Sequence, residues 1–243
     1  MEEITTLIPK KLYLIQESTY FKFGNDSVFL ADFTSVKSGD IVVDLGTGSG
    51  VIPLLLAFKQ EPEKVIGIEI QEKLVDLAKR SVELNKLANK IEIIKGDFKE
   101  ASQIIDYGSV DLVITNPPYT PVSRGKITLG EEKAIARHEL YGSLEDVIRE
   151  GAAILRFAGK MTMVHRAYRL AEVVFLMKKY NLEPKRLRFV QSRLQTAPKI
   201  FLIEAQKGSR PGIKVEPVLV VYEEDSNEYT MEVKGIYGED QYG

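Results

Sequence analysis

The stretch Asp111-Leu112-Val113-Ile114-Thr115-Asn116-Pro117-Pro118-Tyr119 is an apolar run halted by two consecutive prolines. Neither proline has a backbone N–H and both fix φ, so a strand cannot continue through them. The residue before a proline is driven extended, which also holds Asn116. The run therefore reads as a buried strand with a stiff spur at its carboxyl end, and the spur carries an amide and an aromatic ring. Ligands of open α/β sheets bind outside the carboxyl ends of the strands. A spur of this composition suits a flat, amine-bearing group.

The rest of the chain is arranged around that strand. Ile41-Val42-Val43-Asp44-Leu45 is a β-branched strand, and Gly46-Thr47-Gly48-Ser49-Gly50 leads it into a helix from Val51 to about Lys59. Small residues there let the backbone turn tightly and approach a ligand at the helix N-terminus. The spacing is G-x-G-x-G, with Val51 where a dinucleotide fingerprint would place its third glycine. Asp44 would repel a pyrophosphate and attract an ammonium group, which favours an amino-acid-bearing cofactor over NAD. A second strand, Lys64 to Ile70, carries Glu69 at its end, where an acid can accept from ribose hydroxyls. A helical period over 71–87 follows, then a third strand, Ile91–Ile94, and Asp97-Phe98. Asp97 can accept from an adenine amine and Phe98 can line the ring; the competing reading for each acid is a helix N-cap.

Beyond the spur, residues 120–142 form a long connection with five basic side chains: Arg124, Lys126, Lys133, Arg137 and His138. Loops of this length in a compact domain are usually functional or mobile, and this one reads as a substrate-gripping lid. His138, between Arg137 and Glu139, suits a structural or phosphate contact better than a general base. A helix capped by Ser143 runs to about Phe157, and the fifth strand is Gly159–His165. A helix spans Tyr168 to Tyr180, further strands fall at 182–190 and 200–205, and an added strand at 215–222. The N-terminal region shows one helix, capped by Asp26 and running to about Val36. The repeated strand–helix alternation predicts an α/β fold: a doubly wound, mostly parallel seven-stranded sheet with an antiparallel final hairpin. Residues 1–37 are expected to be an extension packing on the core, 38–222 the domain, and 223–243 an acidic tail, partly disordered.

Composition sets the outer limits. At 243 residues, 44% hydrophobic and 28% charged, the chain is that of a globular protein. No apolar run approaches the roughly 20 residues of a membrane span. The acidic start Met1-Glu2-Glu3 lacks a signal-peptide pattern, and a cytoplasmic location is expected. With no cysteine and two histidines, no metal site is expected. The net charge of −2 conceals an asymmetry. Residues 149–214 carry 15 Lys+Arg against 4 Asp+Glu, while residues 215–243 carry 1 Lys against 8 acids. The basic stretch, with Arg186, Arg188 and Lys199, is either a polyanion-binding surface or an ordinary face balanced by the acidic segments.

The ordered set Asp44-Leu-Gly-Thr-Gly-Ser-Gly50, Glu69, Gly96-Asp97 and Asn116-Pro-Pro-Tyr119 resembles the class I S-adenosylmethionine-dependent methyltransferases. The Asn-Pro-Pro-Tyr element is similar to that of the amino-methyltransferases of adenine N6, guanine N2 or glutamine. Phe21-Lys-Phe-Gly-Asn-Asp-Ser-Val-Phe-Leu30, Arg137-His-Glu139 and Ala197-Pro-Lys199 resemble the bacterial enzymes that methylate adenine N6 beside the anticodon of valine tRNA. The resemblance implies a Rossmann-like methyltransferase fold, S-adenosylmethionine as cofactor and tRNA as partner. It places Phe23, Asp26, Asp44, Gly46, Thr47, Gly48, Gly50, Glu69, Ile70, Asp97, Phe98 and Asn116 around the cofactor. Asn116 and the Pro117 carbonyl would accept from the target amine, and Tyr119 would stack on the base. Pro118, Arg124, Lys126, Arg137, His138, Arg186, Arg188 and Lys199 would contact the RNA. Alternatives are glutamine methylation on a release factor, DNA adenine methylation, and a catalytically silent scaffold. Nothing in the sequence sets an oligomeric state.

Overall fold

The computed structural model describes residues 2–9, 11–17, 24–117 and 142–238. Its centre is a sheet in which β3 (Ile41–Leu45), β4 (Lys64–Glu69), β5 (Ile91–Lys95), β6 (Val110–Thr115) and β7 (Leu155–Arg166) run parallel. Antiparallel β9 (Ile200–Lys207) lies between β7 and β8 (Leu182–Gln191), as the predicted final hairpin requires. Two-residue strands β10 (Lys214–Val215) and β11 (Leu219–Val220) add to β8, giving nine strands rather than seven. The order is β10-β8-β9-β7-β6-β3-β4-β5. From β3 the chain first winds outward through β4 and β5, then returns to β6 on the other side. The topological switch point thus falls between β3 and β6, where α/β sheets form their binding crevice.

Helices cover both faces. On one face pack α1 (Asn25–Phe33), α2 (Val51–Lys59) and α3 (Glu72–Leu84), with Leu30, Leu54, Leu55 and Ala78 buried against Val42 and Val65. On the other lie α4 (Ala101–Ile104), α5 (Leu144–Ile154) and α6 (Leu170–Lys179), with Ile148, Val173 and Met177 buried against Val113 and Met163. The α3 pattern shows why: Val75, Ala78 and Val82 share one stripe and are buried. Ser143 closes a full capping box with Asp146 at the start of α5, which ends at Ile154 rather than Phe157. At α1 the cap is Gly24, not Asp26; Asp26 lies in the first turn, where its charge suits the helix dipole.

Two segments differ from the reading of the sequence. Near the N-terminus β1 (Glu2–Ile8) and β2 (Leu12–Glu17) pair antiparallel, with β2 docked on α3. Leu12 and Leu14 are fully buried, and the outer edge of β2 is satisfied by α3 side chains. Tyr13 N–H donates to Asn85 Oδ1 at 2.9 Å and Ile15 N–H to Ser81 Oγ at 2.9 Å. The acidic tail is also ordered as far as Gly238. Helix α7 (Met231–Ile236), capped by Thr230, buries Val233 and Ile236 in the α1–α3 layer. Among the described residues no helix is long and apolar enough to cross a membrane, and no cluster of potential metal ligands occurs.

Candidate active site

Asp44, the glycine loop, Glu69 and Asn116 all lie at the carboxyl ends of β3, β4 and β6, beside the switch point. Asp44 pairs with Ile114 across the two strands, and Thr115 Oγ1 donates to the Leu45 carbonyl at 2.9 Å, closing the strand ends together. The loop then turns over the neighbouring strand, with the Gly46 and Thr47 amides both donating to the Ile68 carbonyl at 2.9 and 3.0 Å. Gly46, Gly48 and Gly50 all take left-handed φ. At Gly50 the demand is double, because φ is +86° and a Cβ would lie 3.2 Å from Ala78 of α3. Gly67 on β4 makes room for the loop: a Cβ there would stand 2.8 Å from the Thr47 side chain.

Two carboxylates face this loop. Glu69, nearly buried, accepts from Gly48 N–H at 3.0 Å with one oxygen and from Gln71 N–H at 2.9 Å with the other. It therefore ties the glycine loop to the end of β4 and brings a negative charge to the crevice. Asp44 is fully buried, and neither carboxylate oxygen has a hydrogen-bond partner; nor has the buried Thr47 hydroxyl. Burial pushes the Asp44 acid up to about 7, the nearby Thr47 hydroxyl offsets part of the rise, and the Glu69 charge adds to it. The hydroxyl lies close enough to favour the carboxylate without meeting hydrogen-bond geometry. Native interiors rarely leave polar groups unpaired. An acid and a hydroxyl left unpaired beside left-handed glycines at a switch point are fitted to a polar, cationic ligand.

Ile70, half-buried, follows Glu69. Asp97 divides its carboxylate between two partners: one oxygen caps the turn 98–100 by accepting from Lys99 N–H at 2.9 Å, the other pairs with Lys99 Nζ at 3.1 Å. The N-cap reading is thus realised at Asp97. Phe98 is buried in the second core layer with Leu144 and Val147. Asn116 leaves β6 half-buried and Pro117 is buried. Asn116 Nδ2 donates to Ser27 Oγ of α1 at 2.9 Å, across 89 residues of sequence. Asp26, in the same turn, is half-buried. Ser27 was not singled out from the sequence: it sits between the flagged Asp26 and an apolar run, with no local signal that distinguishes it from a helix-start serine.

Phe23, Pro118, Tyr119, Arg124, Lys126, Arg137 and His138, with residues 120–141 of the proposed lid, lie outside the described residues. Lys199 is exposed at the start of β9, and its carbonyl accepts from Ala167 N–H at 3.0 Å. Because Ile200 pairs with Arg166, Lys199 stands on the same edge of the sheet as the crevice. Arg186 and Arg188 do not present free charge. Arg186 bonds Glu216 at 2.9 Å and the buried Glu204 at 3.3 Å, and lies 4.3 Å over the Phe33 ring. Arg188 bonds Glu232 of α7 and the Pro217 carbonyl, and Arg193 binds carbonyls of Glu223, Glu224 and Ser226. Arg186 and Arg188 of the basic strand are thus engaged with the acidic C-terminal segment. The buried imidazole of His165 is pushed down to about 4, chiefly by burial and also by Arg169 and Arg166, so it is neutral at physiological pH.

A family model described as methyltransferase small domain matches residues 22–181. The tRNA1(Val) (adenine(37)-N6)-methyltransferase of Bacteroides thetaiotaomicron is 27% identical over 231 residues, covering 92% of this chain and 94% of that protein. The protein of the same description from Histophilus somni strain 2336 is 26% identical, covering 93% and 92%. Among solved structures, a predicted O-methyltransferase from Agrobacterium tumefaciens superposes with a TM-score of 0.71 at 22% identity, covering 88% of this chain and 95% of that one. A geranyl diphosphate C-methyltransferase from Streptomyces coelicolor, crystallised with S-adenosyl-L-homocysteine, superposes with a TM-score of 0.55 at 15% identity, covering 74% and 76%.

Proposed function

Since this chain belongs to the methyltransferase small domain family, we propose that it transfers a methyl group from S-adenosylmethionine to the exocyclic N6 amine of an adenine in tRNA, beside the anticodon of a valine tRNA. The observation that carries the reading is the junction at the switch point: the buried, unpaired Asp44 and the glycine loop tied to Glu69 at the ends of β3 and β4, and next to them the Asn116 amide at the end of β6. The relatives over nine-tenths of the chain support the choice of tRNA and of N6.

The pocket residues fit the cofactor. Asp44, the Thr47 hydroxyl and the loop glycines would receive the methionine end, Glu69 and Ile70 the ribose, and Asp97 and Phe98 the adenine. The sulfonium supplies an electrophilic methyl. What the chain must add is a nucleophile in the right state. The lone pair of an adenine N6 amine is delocalised into its ring. Two acceptors on its N–H bonds, the Asn116 amide oxygen and the Pro117 carbonyl, favour a tetrahedral nitrogen and free that lone pair. Holding the amine in line supplies much of the acceleration, since well-oriented reactants gain several kcal/mol, up to about 7–11 in simple systems. Once methylated, N6 carries a positive charge and readily gives its extra proton to water, so a separate general base is unnecessary, consistent with a His165 that burial makes a weak base. The adenine must leave its stack to enter; Tyr119 would return about 1–3 kcal/mol by stacking. Lys199 and the basic residues of 118–141 would hold the RNA backbone.

The test is transfer of labelled methyl from S-adenosylmethionine to total tRNA, total DNA and a release factor in parallel, with nucleoside analysis of the product. N6-methyladenosine in a tRNA fraction is the expected result. Label in the release factor instead would replace the adenine by a glutamine side chain.

A further inference from the structure

The Asn116 side chain has two ends of opposite character, and only one suits an amine. The amide oxygen accepts from an N–H; the amide nitrogen, turned toward an amine, would set donors against donors. Terminal amide torsions are broad, so the side chain alone does not choose between the two. In this protein the choice is made from α1. Asn116 Nδ2 donates to Ser27 Oγ at 2.9 Å, which commits the nitrogen end to the helix, so the oxygen is the end of the amide that an amine can meet.

Ser27 is itself held in place at both ends of its helix. At the start, the Asn25 side chain is gripped by the C-terminal segment. Its Oδ1 accepts from the Tyr237 hydroxyl at 2.8 Å, and its Nδ2 donates to the Tyr229 hydroxyl at 3.2 Å. Those tyrosines belong to a stack: the Tyr222 and Tyr229 rings are 5.4 Å apart at 18°, and the Tyr229 and Tyr237 rings 5.5 Å apart at 6°. At the end, Thr34 Oγ1 lies 2.9 Å from Thr162 Oγ1 on β7. Between these anchors Val28, Phe29 and Leu30 are buried. The other partner is equally constrained, since Asn116 follows directly on Thr115, whose hydroxyl is bonded to β3, and precedes a buried proline.

We propose that Ser27 is a positioning residue for methyl transfer: it selects the orientation of the Asn116 amide that offers its oxygen to the target amine, and the tyrosine stack of the C-terminal segment holds the helix turn from which it does so. The role rests on the reading of Asn116 as an acceptor for that amine. A supporting group of this kind preorganises a reacting geometry without touching substrate. Misplacement of a reacting group by about 1 Å can cost on the order of a hundredfold in rate.

The experiment compares wild type, Ser27→Ala and Ser27→Thr. Alanine is the best helix former, so α1 persists in the first variant; threonine keeps the hydroxyl. Three quantities are measured: kcat and KM for tRNA, affinity for S-adenosylmethionine by calorimetry, and the side-chain amide 15N–1H signals of Asn116, assigned by their loss in Asn116→Asp. The expected result is a fall in kcat of about ten- to a hundredfold in Ser27→Ala, with KM and cofactor affinity unchanged. The Asn116 amide signals should shift in Ser27→Ala, and both effects should be reversed in Ser27→Thr. Unchanged kcat, or unmoved amide signals, overturns the proposal. If the wild type itself transfers no methyl to tRNA, the functional reading fails, and the amide signals still decide whether Ser27 orients Asn116.

Discussion

Asp44 makes the sharpest physical claim, because a buried acid with two unpaired oxygens must cost the fold something. Its folded-state value is pushed from the ordinary 3.8 up to about 7. Below the unfolded value both states are protonated and nothing is lost. As pH rises, the unfolded chain ionises first, so stability falls until the folded acid also ionises near 7, and the penalty is constant above that. At about 1.4 kcal/mol per tenfold, the full penalty is roughly 4 kcal/mol, and about 3 kcal/mol of it falls between pH 4.5 and 8.5. Relaxation around the ionised group would halve this, to about 1.5 kcal/mol, or roughly 3–6 °C in Tm for a chain of this size. Asp44→Asn removes the titration and keeps the shape. The ligand-free variant should therefore gain on wild type from pH 4.5 to about 7 in thermal melts and hold that lead up to pH 8.5. Saturating S-adenosylmethionine should reverse the order at pH 8, because an ammonium stabilises the carboxylate and not the amide. A gap between variant and wild type that does not change with pH would refute the reasoning.

Three further outcomes test the site from other directions. Asn116→Ala should remove methyl transfer by a factor of at least about 100 while calorimetry finds cofactor affinity near wild type; lost affinity would move Asn116 into the cofactor site. Gly67→Ala places a Cβ 2.8 Å from Thr47 and should weaken cofactor binding about tenfold or more by displacing the loop, at a stability cost of about 1–3 kcal/mol, read by calorimetry and urea melts; unaltered affinity would mean the loop has slack. Arg188→Glu breaks the pair with Glu232 and should raise protease sensitivity of the C-terminal segment by a few fold, with tRNA affinity held within about twofold at physiological salt. A large, salt-dependent loss of RNA binding would return β8 to the RNA surface.

The parallel sheet, the glycine loop and the strand-end positions of Asp44 and Glu69 could be read in advance because each is written in a local pattern. β-branched runs give strands, and glycine runs give the loop. The N-terminal hairpin escaped because its inward row, Leu12, Leu14 and Gln16, ends in a buried glutamine, and its turn contains Pro9 rather than an Asn-Gly pair. Asp97 shows a different limit. Its place in the ordered series points to an adenine contact, and the structure adds what the series does not show: each oxygen already has a partner in Lys99, so an adenine amine would share the carboxylate.

The charge asymmetry shows why a linear count cannot assign a surface. A positive stretch of 66 residues (149–214) and an acidic one of 29 (215–243) look like a polyanion site followed by a loose tail. Folded, three arginines of the first stretch meet the second, while other basic residues pair elsewhere, as Arg156 with Asp111 and Lys179 with Glu145. Arg186 meets Glu216, Arg188 meets Glu232, and Arg193 takes the carbonyls at 223, 224 and 226. Exposed pairs of this type are each worth about 0–1 kcal/mol, so they guide the segment rather than hold it. Burial of Val233 and Ile236 supplies the adhesion, at roughly 1.5–3 kcal/mol for each side chain. The consequence reaches the chemistry, because the docked segment is what carries Tyr229 and Tyr237 to Asn25. Cutting the chain after Tyr222 would thus remove no residue of the crevice and yet free the helix turn that bears Ser27.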